Sequence, residues 1–270
     1  MFYHLQKAKE IFSEEDLITA AKSILRYIPV EINNIIFRLR YGKGIQVMDE
    51  DWDNLLILDA CRYDMFSNQV GLAGKLDSRI SLGSSSEEFL EKNFVGNKFH
   101  DTVYVNSNPY LPKLDLDEEN FHAVINCLSD YDSKSQTVLP ETVADAAIKA
   151  NQQYPNKRLI IHFMQPHTPF LGEVGRTMAG GSINEDGQLN DSDGIWSQLR
   201  NNETETNIST VWEAYNENLE LVLDSVTQLL KNINGKTVIT ADHGNMVGER
   251  LKPIPSKKST AIRTEYILQS

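Results

Sequence analysis

Cysteine is scarce. The 270 residues hold two, Cys61 and Cys127. That excludes a disulfide-stapled scaffold and a four-cysteine zinc site. A basic excess is missing as well. Lys and Arg number 26 against 38 Asp and Glu, for a net charge of −12. No general basic face is on offer to a phosphate backbone, so nucleic acid is not an expected partner. Long apolar runs are absent too, since none approaches the ~18 residues of a membrane span. Met1 to Leu17 scatters charges where a secretory leader would carry an apolar stretch. The resulting expectation is a cytoplasmic protein. Disorder is excluded in turn, because hydrophobic residues make up 40% and aromatic ones 9%, enough for one large core at this length.

Four short apolar runs read as strands covered on both faces, since each is continuous rather than alternating. They are Asn54–Leu58, Thr102–Val105, Arg158–Phe163 and Lys236–Thr240. Helical patterns separate them. Pro140–Tyr154 opens with proline and an acidic first turn. Ser209–Ile233 spaces Val211, Tyr215, Leu219, Val222, Val226 and Leu229 as one stripe, and stops before Asn234-Gly235. Helix, turn and strand in alternation predict an α/β fold with a mostly parallel central sheet. Two stretches stand apart. Residues 15–40 are amphipathic and suit either packing on the domain or peripheral contact with a membrane. Gly172–Glu205 is polar and rich in glycine and reads as a long lid or substrate loop.

In parallel α/β proteins ligands gather at the carboxyl ends of the strands. Asp59-Ala60-Cys61-Arg62 follows the first run, Pro166-His167-Thr168-Pro169 the third, and Asp242-His243-Gly244 the fourth. Three strands thus deliver Asp, His and an Asp-His pair to one edge. Oxygen and imidazole donors in that mixture suit a divalent cation, Zn, Mn or Mg. Taken singly, Asp59 could be only a helix cap, and Pro-His-Thr-Pro only a stiff turn. Arg62 could clamp an anionic ester or pair with Asp64. Lys98, His100 and Asn106 flank the second strand with weaker signals.

The stretches Asn54–Phe66 (NLLILDACRYDMF), Ser81–Phe94 (SLGSSSEEFLEKNF), Asp101–Pro109 (DTVYVNSNP), His162–Phe170 (HFMQPHTPF) and Thr237–Glu249 (TVITADHGNMVGE) together resemble the sulfatase-like branch of the alkaline phosphatase superfamily. The resemblance implies a three-layer α/β/α sandwich over residues 46–270, after an N-terminal helical segment over 1–45, with a one-metal enzyme and a chain truncated at its C-terminal end as the two alternatives for its short tail. It implies a metal-dependent hydrolase or transferase for phosphate esters, with sulfate esters second. By the same resemblance Asp59, Asp242 and His243 would bind the metal, joined by Ser86 as nucleophile. Ser84 and Ser85 remain as alternatives, and so does a plain helix cap at Ser86. His167 would touch the ester group, and Arg62 would help to offset its charge. The substrate would be a small molecule, or the ester of a glycan or head group.

The pattern also departs from the family. Cys61 is followed by Arg62-Tyr63-Asp64, without the proline or alanine of a formylglycine motif, which favours phosphate over sulfate. No histidine follows His243, which favours one metal ion over two. Asn245 stands where a glutamate is common. The competing expectation is a catalytically degenerate relative that serves as a binding or scaffolding module.

Overall fold

The computed structural model describes residues 44–176, 178, 194–201, 206–248 and 267–269, preceded by Ile35, Ile36, Leu39, Arg40 and Gly42. The chain divides into two units, residues 1–43 with 250–260, and residues 44–249 with 261–270. In the first, Ile35, Ile36, Leu39 and Arg40 are helical and exposed. Nearly all the rest of the 1–45 segment, and with it the membrane-contact reading of 15–40, lies outside the described residues. Among the described residues no helix is long and apolar enough to cross a membrane.

The second unit is built on a sheet of seven strands. They are β1 (Asn54–Leu58), β2 (Lys75–Leu76), β3 (Phe99–Asn106), β4 (Phe121–Asn126), β5 (Arg158–Phe163), β6 (Thr237–Thr240) and β7 (Ile267–Gln269). Their order is β2-β7-β6-β1-β5-β3-β4. The five strands from β6 to β4 run parallel, and β7 and β2 add an antiparallel edge. The fold is therefore α/β around a mostly parallel central sheet. The four expected strands are all present, β3 longer than its apolar run. β4 was not foreseen, because an edge strand buries only part of Phe-His-Ala-Val-Ile-Asn.

The helices are α1 (Tyr63–Gln69), α2 (Ser86–Phe94), α3 (Tyr110–Lys113), α4 (Pro140–Gln153), α5 (Ile195–Asn201) and α6 (Ile208–Leu230). Pleating sorts the strand side chains onto two faces. Leu56, Leu58, Val105, Leu159, Ile161 and Phe163 pack with α1, α4, α5 and α6. Leu55, Ile57, Tyr104 and Ile160 pack with Phe89, Leu90 and Phe94 of α2 and Leu111 of α3. The predicted stripe of α6 is the buried one: Val211, Tyr215, Leu219, Val222, Val226 and Leu229 are all closed to solvent. Each such side chain contributes about 1.5–3 kcal/mol relative to exposure. The stretch Gly172–Glu205 is not all loop, since it contains α5. Ile195 is buried there, and Trp196 stacks edge-on against Phe170 and Tyr215. Residues 179–193 and 202–205 lie outside the described residues, and the lid reading with them.

Strand register brings the site together. Ile57 pairs with His162 on one side and Thr240 on the other, while His162 pairs with Asn106, and Asn106 with Asn126. Two residues beyond this row, Asp59 and Asp242 leave adjacent strands at the same edge.

Candidate metal centre

Asp59 follows β1 and is buried, as is Asp242 after β6; His243 is 6% exposed. A donor atom from each lies within 4.8 Å of the others, a buried trio able to hold a metal ion. The two carboxylates are arranged alike. Asp242 Oδ1 accepts the backbone N–H groups of Ala60 at 2.9 Å and His243 at 2.8 Å. Asp59 Oδ2 accepts Asn108 Nδ2 at 2.6 Å and the Ser86 hydroxyl at 3.2 Å. Their other oxygens, Asp59 Oδ1 and Asp242 Oδ2, are buried without a hydrogen-bond partner. Each lies 3.6 Å from His243 Nε2.

Two bare carboxylate oxygens in contact with an imidazole nitrogen are costly unless a cation or proton serves them. Ligands placed tetrahedrally at about 2.0–2.1 Å from a cation stand about 3.3 Å apart. The observed 3.6 Å spacings, and 3.4 Å from Ser86 Oγ to His243 Nε2, come close to that figure. The donor set of two carboxylates, one imidazole and one hydroxyl therefore fits a divalent cation.

Electrostatics point the same way. Burial, and next the charge of Asp242, push the Asp59 carboxyl well above its ordinary range, against the hydrogen bonds from Ser86 and Asn108. Burial would raise Asp242 too, but His243, His162 and the Ala60 N–H bring it below its ordinary value. One carboxylate is thus stable as an anion, and the second calls for added positive charge.

The backbone fixes this arrangement. Ala60 adopts φ 60°, a left-handed conformation that aims its N–H at Asp242, while its carbonyl accepts the Tyr215 hydroxyl of α6. Ser81 Oγ donates to the Asp242 carbonyl at 2.6 Å and accepts Gly83 N–H at 3.1 Å, tying the serine loop to the carboxylate edge. Gly83 lies so close to α2 that a Cβ would fall on the backbone of Phe89.

The serine run divides into three roles. Ser84 is engaged by Glu88, whose Oε2 accepts its N–H and hydroxyl, each at 2.7 Å. Ser85 caps α2 through Glu88 N–H at 3.3 Å. Ser86 is the first helical residue rather than the cap. Its buried hydroxyl lies between Asp59 and His243.

The other sequence candidates spread further. His167 N–H donates to the Asp59 carbonyl at 3.1 Å, which holds the Pro-His-Thr-Pro loop at the site's edge. Its Nδ1 contacts the Thr168 carbonyl at 2.9 Å. The Thr168 hydroxyl lies 3.4 Å from the same nitrogen. Arg62 makes a two-pronged pair with Asp64 at 2.9 and 2.7 Å. It also donates to Asn245 O at 3.0 Å and lies 4.6 Å over the Trp212 ring. That arrangement ties α1 to α6 and the loop after β6. Lys98 and His100 sit at the start of β3, the end away from the site. Cys61 is buried, and burial pushes its thiol well above the ordinary range.

Four participants, Asn108, His162, its partner Tyr104, and Asn218, escaped the sequence reading. Asn108 holds Asp59. His162, fully buried, places Nε2 3.9 Å from Asp59 Oδ2 and Nδ1 2.9 Å from the Tyr104 hydroxyl. Asn218, buried on α6, gives Nδ2 to the carbonyls of Pro166, His167 and Pro169 and accepts Leu171 N–H. Only Asn218 carried a usable signal, as a polar residue within an apolar helical stripe.

Comparison with protein-family models finds no match, and comparison with curated proteins finds none.

Proposed function

We propose that this chain is a metal-dependent hydrolase or transferase for phosphate esters, with an alkaline-phosphatase-like α/β/α domain and Ser86 as nucleophile. One observation carries the reading. Of three consecutive serines, the one at the first turn of α2 has its buried hydroxyl 3.2 Å from Asp59 and 3.4 Å from His243, beside two carboxylate oxygens without partners.

A divalent cation held by Asp59, Asp242, His243 and Ser86 would supply Lewis-acid polarisation and lower the pKa of the serine hydroxyl. The chain's own groups do the rest. Ser86 already donates to Asp59 Oδ2, the acceptor placed to take its proton. Ser86 Oγ attacks phosphorus as its proton passes to Asp59 Oδ2, the bond from phosphorus to the ester's alkoxide breaks, the alkoxide takes a proton from solvent water as it leaves, and a phosphoserine forms. Water or an acceptor alcohol then breaks the serine–phosphorus bond, and the proton returns to Ser86. N–H groups of the first turn of α2 favour the anionic phosphoryl oxygens. His167, whose N–H bond to the Asp59 carbonyl holds its loop at the site's edge, is the imidazole assigned to take the proton of the incoming water or alcohol. Arg62 takes no step, because Asp64, Asn245 and Trp212 engage it.

The test is metal content of the purified chain by plasma mass spectrometry, paired with turnover of p-nitrophenyl phosphate, its diester and its sulfate. About one Zn, Mn or Mg per chain and turnover lost in Ser86→Ala support the proposal, and the preferred ester names the substrate class. Metal binding without turnover of any ester would replace it with the binding-module reading.

A further inference from the structure

Asp59 and Asp242 each reserve one oxygen for the cation and give the other to protein donors. For Asp242 those donors are the backbone amides of Ala60 and His243. For Asp59 the shorter of its two contacts comes from a side chain, Asn108 Nδ2 at 2.6 Å. Asn108 is 1% exposed, and its amide is held from both ends. Its Oδ1 accepts Tyr110 N–H at 2.9 Å, so the atom facing Asp59 must be the donor nitrogen. Its backbone N–H binds Asn106 Oδ1 at 2.9 Å, and Asn106 Nδ2 reaches Asn126 Oδ1 at 3.3 Å. A chain of amides along the ends of β3 and β4 thus terminates on one carboxylate oxygen.

We propose that Asn108 is a positioning residue for the metal. By occupying Asp59 Oδ2 it fixes the carboxylate's rotation and leaves Oδ1 facing His243, so that Asp59 enters the site as a one-oxygen ligand. The inference rests on the metal reading above and assigns a determinant of its affinity. Ser86 also contacts Oδ2, but its hydroxyl is needed by the chemistry. Asn108 holds Asp59 without taking part.

Outer partners of this kind typically change metal affinity by about 10–100-fold when removed. Asn108→Ser separates positioning from folding. Its hydroxyl keeps an acceptor for Tyr110 N–H, as short polar side chains do in such turns, but is too short to reach Asp59. Asn108→Ala removes both bonds, and Asn126→Ala loosens the same loop without touching Asp59. The experiment is calorimetric titration of Mn²⁺ and Zn²⁺ into the chelator-stripped full chain, with thermal melts of each variant without and with metal. The expected result is affinity about 10–100-fold weaker in Asn108→Ser, with its metal-free melting temperature near wild type and its metal-induced rise reduced. Asn126→Ala should show the reverse, a lower metal-free melt and unchanged affinity. Wild-type affinity in Asn108→Ser, or in a folded Asn108→Ala, would overturn the proposal and leave the metal centre standing. No titration in the wild-type chain would overturn the metal reading itself.

Discussion

The Tyr104 hydroxyl lies 2.9 Å from Nδ1 of His162, and both side chains are fully buried beneath the edge that carries Asp59 and Asp242. Burial holds the His162 imidazole down to about 4, with Asp242 opposing and His243 adding to the fall. Burial, then Asp242 and Asp59, raise the Tyr104 phenol, so both partners stay neutral at pH 7. The unfolded chain protonates this histidine near 6.5. Because the folded value is the lower one, the contribution is full above 6.5. It is lost as pH falls through the window down to about 4, at a cost approaching about 3 kcal/mol. In denaturant melts from pH 7.5 to 4 in chelator, where Asp59 acts in the opposite sense, the wild type should lose more stability toward acid than His162→Gln. An equal slope in the two proteins would mean that another group drives the acid limb.

Asn218 joins α6 to the histidine loop. One amide satisfies Leu171 N–H and shares its own protons among the carbonyls of Pro166, His167 and Pro169. Leaving a buried polar group unpaired costs about 1–3 kcal/mol, and Asn218→Ala strands several. The expected loss is about 3 kcal/mol or more in a denaturant melt, with metal stoichiometry unchanged. Asn218→Asp should lose a similar amount, since it keeps the acceptor but not the donors. A loss below about 1 kcal/mol for either would show that water replaces the amide.

The strand-end residues Asp59, Asp242 and His243 were legible for a physical reason. A continuous apolar run announces a strand buried on both faces, and polar groups just past it stand at the sheet edge where ligands gather. His162 was not legible by that rule, because it lies inside such a run and looks like core. Register with Ile57 and Asn106 is what brings it beneath the site. Asn108 lies two residues past β3, where the same rule reached Asn106 only as a weak flank. An amide's partner is set by tertiary contact, here Asp59 from a different strand. The choice among Ser84, Ser85 and Ser86 also lay beyond the sequence. It depends on where Glu88 folds back, and Glu88 takes Ser84 and the Ser85 cap in one turn.

Those roles separate under mutation. Ser85→Ala removes the helix cap and should cost about 1 kcal/mol of stability with turnover intact. Ser86→Ala should abolish ester turnover and leave the melting temperature within a few degrees, because Asp59 Oδ2 keeps Asn108. Ser84→Ala should do neither strongly, since its N–H still binds Glu88. Steady-state rates with thermal melts on the three proteins decide the matter. Turnover surviving in Ser86→Ala and failing in Ser84→Ala would move the nucleophile to the other side of Glu88.

Metal removal should expose the conflict between the two carboxylates. In the stripped chain Asp59 carries a folded value raised above its unfolded 3.8, by burial first and Asp242 second. A raised acid contributes stability that is full below the unfolded value and is lost as pH rises through the folded one. In chelated His162→Gln, free of the opposing histidine, stability should therefore weaken from acidic toward alkaline pH. Saturating cation should reverse this at pH 8, adding about 2.7 kcal/mol at a hundred times the dissociation constant. Asp59→Asn removes both effects together. In chelator at pH 8 it should be at least as stable as wild type, and added Mn²⁺ or Zn²⁺ should not raise its melt. A protein whose stability is traded for a cation must behave this way. If Asp59→Asn is less stable than the stripped wild type at pH 8, the two carboxylates are held apart by the fold and the site has no need of an ion.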